Sequence, residues 1–364
     1  MAAKINSFGI SLSLLFVLLI HILASLAPIP VFLQLFINSL ACVYVGCSLS
    51  VKMGDQSEKK SDENVETLSM KDASMFPIYG SIVLFSLYIV FKVFDPDTLK
   101  MIFSFYFAVL GFLCLMNIIE TELDLYLHDK KQKFIIKKKI EWTLFKKKTL
   151  SIEISQMNLI SCSVALIPMV LYLYSKHWIL NNIFGIAFSI TGISSLNLPN
   201  FKVGFILLWG LFFYDIFWVY GTDVMVSVAQ NIDAPIKLSF PADLSASPPK
   251  FSMLGLGDIV IPGIFVALCL KFDIDLGLNL KKKINDISQN YFQWCFAGYT
   301  LGIITTFSTM VIFEHAQPAL LFLVPGCCFS VLLLAAKNGE IEKLKNYEES
   351  PEKTEKKPEE LKGN

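Results

Sequence analysis

Residues 203–223 read VGFILLWGLFFYDIFWVYGTD, and the only charge before the terminal Asp223 is Asp215. About 20 predominantly apolar residues are what a helix needs to cross the hydrocarbon core of a bilayer. A helix that is apolar on every face belongs in lipid or deep inside a large protein. A carboxylate in the middle of such a helix costs about 2.5–3.5 kcal/mol on insertion scales, so it persists mainly where it faces a cavity or does chemistry. This one stretch therefore predicts a membrane span and marks Asp215 as a candidate functional group.

Working outward, the same apolar pattern recurs along the chain. A first stretch covers roughly Ile5 to Ala27, and eight others besides 203–223 lie at roughly 30–51, 76–94, 101–119, 157–175, 178–199, 251–271, 288–313 and 316–336. With 54% apolar residues in 364, roughly 200 residues belong in lipid at about 20 per span. No room remains for a separate soluble domain. The expected fold class is an all-α polytopic membrane protein, a bundle of nine membrane helices. Residues 1–27 precede it, with basic Lys4, an apolar run and small residues at Ala24, Ser25 and Ala27. They read as a cleavable signal peptide or as an extra N-terminal helix. The division expected is 28–200 for helices one to five, 201–336 for helices six to nine, and 337–364 for a charged, Pro-containing, disordered cytoplasmic tail.

Lysine placement gives the orientation, because Lys and Arg near helix ends stay in the cytoplasm. All 31 basic residues are Lys. The segments after helices one, three, five and seven, with the tail, hold 25 of them, and the opposite side holds only Lys92, Lys100, Lys176, Lys237 and Lys250. The C-terminus is therefore expected in the cytoplasm and the mature N-terminus in the lumen. The run from Lys130 to Lys148 reads as a solvated topology signal. The absence of Arg removes the usual fork for phosphate, and nucleic acid is not an expected partner.

Other chemistries lack their residues. The eight cysteines all fall in apolar stretches without metal spacing and read as buried small hydrophobes. The four histidines are scattered, without a His-Glu-x-x-His pair, and no Gly-x-Ser-x-Gly elbow is present. No metal and no cofactor is expected. What remains inside the helix cores is two carboxylates, Asp215 in helix six and Asp258 in helix seven. Counted from the expected lumenal ends, they sit about 12 Å and 10.5 Å deep at about 1.5 Å per residue. Close carboxyls in a low-dielectric site share a proton and titrate as a unit. The ionised one draws a proton from water while its partner hydrogen-bonds the peptide carbonyl, which is aspartyl-protease chemistry.

Three segments carry a family resemblance. Phe213-Tyr214-Asp215-Ile216-Phe217-Trp218-Val219 resembles the Tyr-Asp motif of the signal peptide peptidase and presenilin family. Gly255-Leu256-Gly257-Asp258 is similar to its Gly-x-Gly-Asp motif, and Gln317-Pro318-Ala319-Leu320 to its Pro-Ala-Leu motif. They occur in order at the expected helices, and the resemblance extends from about Met75 to Ala336 through Lys176-His177-Trp178, Asn181-Asn182 and Ala234 to Leu238. The signal peptide peptidase branch matches better than presenilin. The resemblance implies intramembrane cleavage of leftover signal peptides and of type II membrane helices in the endoplasmic reticulum. It also implies homo-oligomers and ties to membrane-protein degradation. The C-terminus, Leu361-Lys362-Gly363-Asn364, departs from it in lacking a terminal Lys-Lys-x-x signal.

Gly255 and Gly257 are expected to let a substrate backbone approach and the chain leave helical geometry. Pro318 is expected to break the start of helix nine and leave free carbonyls near the pair. For Tyr214, hydrogen bonding near the pair and packing at an interface are both open. Ile236 to Phe240, alternating between Pro235 and Pro241, reads as a short strand, either a plain loop strand or an edge for an extended substrate. Two other functions stay open on residues alone: a transporter or channel relaying protons or cations through the same pair, and a non-catalytic scaffold that binds membrane helices.

Overall fold

A computed structural model describes residues 30–57, 68–126, 134–142, 148–222, 224–225, 228, 234–243, 250–279, 290–313 and 317–349, together with Leu14. The leader reading of 1–27 lies, apart from Leu14, outside the described residues, as does the tail from 350 onward.

Nine long helices form the described body: α1 Val31–Ser57, α2 Met70–Val93, α3 Pro96–Tyr126, α4 Gln156–Ser175, α5 Trp178–Ser195, α6 Phe201–Tyr220, α7 Gly257–Asn279, α8 Asn290–Phe313 and α9 Leu320–Asn338. Eight of them, all but α7, are long and apolar enough to cross a membrane. Helix α7 has the length but carries Asp258, Lys271, Asp273 and Asp275. The protein is mostly helical, with two short antiparallel hairpins and a final turn, α10 Ile341–Lys345.

Local sequence sets the helix starts. Ser69 and Asp72 exchange hydrogen bonds as a capping box, so α2 begins six residues before the apolar stretch does. Asn200 Oδ1 accepts the Val203 N–H at 2.9 Å and starts α6. Asp273, buried near the end of α7, accepts the Tyr291 and Phe292 amides at 3.1 and 2.8 Å and caps α8 from outside.

The buried centre is built from α1 and α5 to α9, while α2, α3 and α4 present apolar side chains such as Ile82, Phe105 and Ile167 outward, as lipid-facing helices do. Small residues set the tightest approach. A Cβ at Gly298 of α8 would stand 2.2 Å from the Gly326 carbonyl oxygen of α9, a distance only two glycines allow. Six of the eight cysteines are buried, and Cys114 and Cys162 are half-buried.

Three expectations change. The lysine-rich segment contains a hairpin, β1 Phe134–Trp142 with β2 Lys148–Ser155, pairing Lys137 with Glu153 and Ile140 with Leu150. Helix seven begins at Gly257 rather than 251, because 250–255 is a strand. The part of the expected tail that is described, 337–349, is folded onto the bundle. Gly339 ends α9 with φ 67°, and α10 and Tyr347 pack back over Phe201 and Phe272. Lys271 bonds Glu349 at 2.8 Å, and the Glu349 amide donates to Pro199 O at 2.8 Å. Apolar Leu344 and Tyr347, interspersed among charges, drive this return, and the average composition of the tail hid them.

Candidate active site

Strands β3 Lys237–Asp243 and β4 Lys250–Gly255 form an antiparallel hairpin that leads directly into α7. Its position comes from the start of α5. His177 Nδ1 accepts the Ile179 N–H at 3.3 Å, and the Trp178 ring packs tilted against Phe240 with centroids 5.7 Å apart. Asn182 then mimics a neighbouring strand: its Nδ2 donates to Ser239 O at 2.9 Å and its Oδ1 accepts Ser239 N–H at 2.8 Å. Asn181 adds a bond to Lys237 O at 3.0 Å. The loop segments singled out by resemblance thus meet in one place, where α5 clamps β3.

This clamp decides which edge is free. Ser239 spends both backbone groups on Asn182, so its partner Met253 belongs to a non-hydrogen-bonded pair. The backbone groups of Phe251, Met253 and Gly255 consequently point away from β3. The strand expected at 236–240 is present as 237–243, but its outer edge is covered, and among the described residues the open edge is that of β4.

At the end of that edge the chain turns. Leu256 N–H donates to Ile236 O at 3.1 Å, Leu256 O accepts the Val260 N–H at 2.8 Å, and α7 begins. Leu256 is buried and packs toward Gly185 of α5, while Gly255 and Gly257 are exposed. A Cβ at 255 would come within 3.3 Å of Asp258 Oδ2, and one at 257 would meet nothing nearer than Ile261 at 4.0 Å. Asp258, the second residue of α7, lies shallower in its helix than the sequence suggested. Asp215 sits five residues before the end of α6, which stops at Tyr220.

The structure brings Asp215, Asp258 and the Pro-Ala-Leu segment together. Asp215 is 5% exposed, and Asp258 is close enough for the two carboxyls to feel each other's charge. Leu320, the first residue of α9, donates its backbone N–H to Asp215 Oδ2 at 3.0 Å. Ala319 has no side chain to cap α9, so the carboxylate of another helix takes that place, where the helix dipole favours negative charge. The carbonyl that the missing Pro318 N–H would free, four residues earlier at 314, lies outside the described residues, and the oxygen of Pro318 itself accepts the Leu321 N–H at 3.2 Å. What its break in the helix frees is the Leu320 amide. Pro318, Ala319 and Leu320 are buried, and Gln317 accepts a hydrogen bond from the Tyr220 hydroxyl.

Tyr214 packs against α2 while staying in electrostatic reach of Asp215. Its ring and hydroxyl stand 3.5–3.6 Å from where a Cβ on Gly80 of α2 would be. Sequence reasoning named Asn182 only as part of the resemblance, without its role as a clamp, and missed strand β4 and Tyr299. Tyr299 is fully buried on α8, in electrostatic reach of Asp258 and beside Ser39 of α1. The signal for Asn182 was a pair of amides inside an apolar helix; for Tyr299 there was none. Among the described residues no His, Cys, Asp and Glu cluster suits a metal ion. The arrangement offers two carboxyls, a helix terminus aimed at one of them, an open strand edge and two glycines. It can hold an extended peptide and deliver water to one of its carbonyls.

Comparison with known proteins places this geometry in context. Residues 60–351 match the model of the family described as signal peptide peptidase. The chain is 40% identical to the signal peptide peptidases of Mus musculus and Homo sapiens over 324 residues, 87% of this chain and 82% and 83% of theirs. It is 50% identical to intramembrane protease 2 of Caenorhabditis elegans over 200 residues, 53% of this chain and 42% of that protein.

Proposed function

The chain belongs to the signal peptide peptidase family and is an intramembrane aspartyl endopeptidase, and we propose that Asp215 and Asp258 are its catalytic pair. The single observation that carries the assignment is the bond from Leu320 N–H to Asp215 Oδ2. It ties the last helix to a carboxyl that an apolar helix would otherwise not tolerate. In hydrolysis the ionised Asp takes a proton from water as the water attacks the scissile carbonyl, and the protonated Asp hydrogen-bonds that carbonyl. The roles then reverse to protonate the leaving amine.

Its substrates are membrane helices in a bilayer: remnant signal peptides and type II helices, whose N-termini are cytoplasmic. The open β4 edge receives the unwound chain, because a helix hides its peptide bonds while an added strand exposes them. Nine spans with α7 among them, a cytoplasmic C-terminus, a lumenal mature N-terminus and residence in the endoplasmic reticulum complete the reading. Lysine placement supports the orientation. Homo-oligomers and contact with membrane-protein degradation machinery belong to the same reading. A relay or a scaffold has no need of the Pro-Ala-Leu contact.

The test is incubation of the detergent-solubilised protein with a labelled signal peptide. The expected result is a cut within the apolar segment that disappears in Asp215→Asn and in Asp258→Asn. Residual hydrolysis above a few per cent in either variant would remove that residue from the mechanism.

A further inference from the structure

An apolar cavity of about 200 Å³ opens beside Gly257, between α2, the α5–α6 turn, α6 and α7. Phe76, Leu207, Ile261 and Ile264 form its walls, and Leu68 and Asn197 lie at its far end. That end is pinned. The Leu68 N–H donates to Asn197 O at 3.1 Å, and Lys271 bonds both the Asn197 side-chain oxygen and Glu349.

The order of contacts along α5 shows which way the cavity runs. Asn181 and Asn182 hold β3, Gly185 meets Leu256, Gly192 meets Val260, and Ile193 meets Gly263. The hairpin and the body of α7 therefore extend to opposite sides of Gly257, and the cavity follows α7, spanning about 10.5 Å from Gly257 to Ile264. Strand β4 runs toward Asp258. A substrate strand pairing antiparallel with it runs away from Asp258, so the residues lying on β4 are those after the cut. Residues before the cut must continue past Gly257, over the cavity.

Size and lining define what enters. At about 200 Å³ the cavity has the scale of side chains rather than of a helix about 10 Å across, so it admits side chains of an unwound segment. Its one polar side chain, Asn197, has its oxygen engaged by Lys271, leaving apolar surface to receive the guest. We propose that this cavity is the specificity subsite for large apolar side chains on the N-terminal side of the scissile bond of a membrane-helix substrate. The proposal rests on the catalytic reading above and adds to it the residues that choose where the cut falls.

The experiment uses the full chain in detergent and a set of synthetic signal peptides with Leu, Phe, Ala or Asp immediately before the cut, the products being identified by mass spectrometry. Wild type is expected to lose at least tenfold in kcat/KM from Leu to Ala, the scale on which hydrophobic pockets discriminate, and to reject Asp. Ile261→Ala should swing the Phe-to-Ala preference toward Phe by at least tenfold, and Ile261→Phe should swing it toward Ala. Phe76→Ala enlarges the opposite wall and serves if an Ile261 variant does not fold. Cleavage that depends on Asp258 but keeps one preference ratio in all variants would overturn the subsite alone. Cleavage that survives Asp258→Asn would overturn the catalytic reading and the subsite with it.

Discussion

Gly255 leaves room for Asp258: a methyl group at 255 would press to 3.3 Å against Oδ2 of that carboxyl. Gly257, two residues on, has open space instead. The two glycines therefore fail differently. Gly255→Ala is expected to displace the reacting group and lower kcat by at least tenfold. Gly257→Ala leaves the carboxyl in place but puts a methyl group where a substrate backbone passes, raising KM with less effect on kcat. Steady-state kinetics on the two variants decide it, and equal loss of kcat in both would contradict the distinction.

Asp215 has a structural duty beside its proposed chemical one. Asparagine keeps an oxygen for the Leu320 amide, whereas leucine leaves that buried N–H without an acceptor, at a cost of about 1–3 kcal/mol. Both variants should be inactive. Thermal unfolding in detergent should show Asp215→Asn close to wild type and Asp215→Leu several degrees lower; identical midpoints would mean that the bond to Leu320 contributes nothing to stability.

Pro318 keeps α9 from starting one turn earlier. Pro318→Ala supplies an amide hydrogen and allows helical geometry through 318, moving Leu320 off Asp215. Activity and binding of a hydroxyl-containing transition-state mimic should fall together. Full inhibitor binding by an inactive variant would show that the proline acts elsewhere.

Asn182 holds β3 through two bonds to Ser239. Asn182→Leu orphans both backbone groups and should lower stability by about 2–6 kcal/mol, at about 1–3 per unsatisfied group. It should also raise KM, because β4 rests on β3. Unchanged KM would separate the hairpin from substrate binding.

A peptide backbone is directional, and an antiparallel partner of β4 meets Asp258 in only one sense. Substrates with a cytoplasmic N-terminus should be preferred. Moving the flanking lysines of one substrate to its other end, with its core unchanged, tests this in membranes, and equal cleavage of both orientations would refute it.

How much of this was legible depended on distance along the chain. Apolar runs announced the helices, and the cost of burying a charge singled out Asp215 and Asp258 before any contact was visible. The strand at 236–240 showed in its alternation. Its partner did not, because Phe251 to Gly255 reads as apolar continuity with α7, and only the pairing with β3 turns it into a strand. Leu320 donating to Asp215 was invisible for a different reason: the donor is a backbone group, and nothing in a side-chain pattern says where an amide points. The return of Leu344 and Tyr347 to the bundle was lost in a composition dominated by lysine and glutamate.

The partner that Asp215 needs lies 105 residues further along the chain. At about 5–20 residues per second of synthesis, a growing chain exists for about 5–20 s with Asp215 made and α9 still to come. During that interval unfinished helices of this protein and of its neighbours share the same membrane. On the proposed mechanism, placing this contact on α9 keeps the protease latent until α9 has been made, and nascent segments, its own included, are expected to escape attack during that interval.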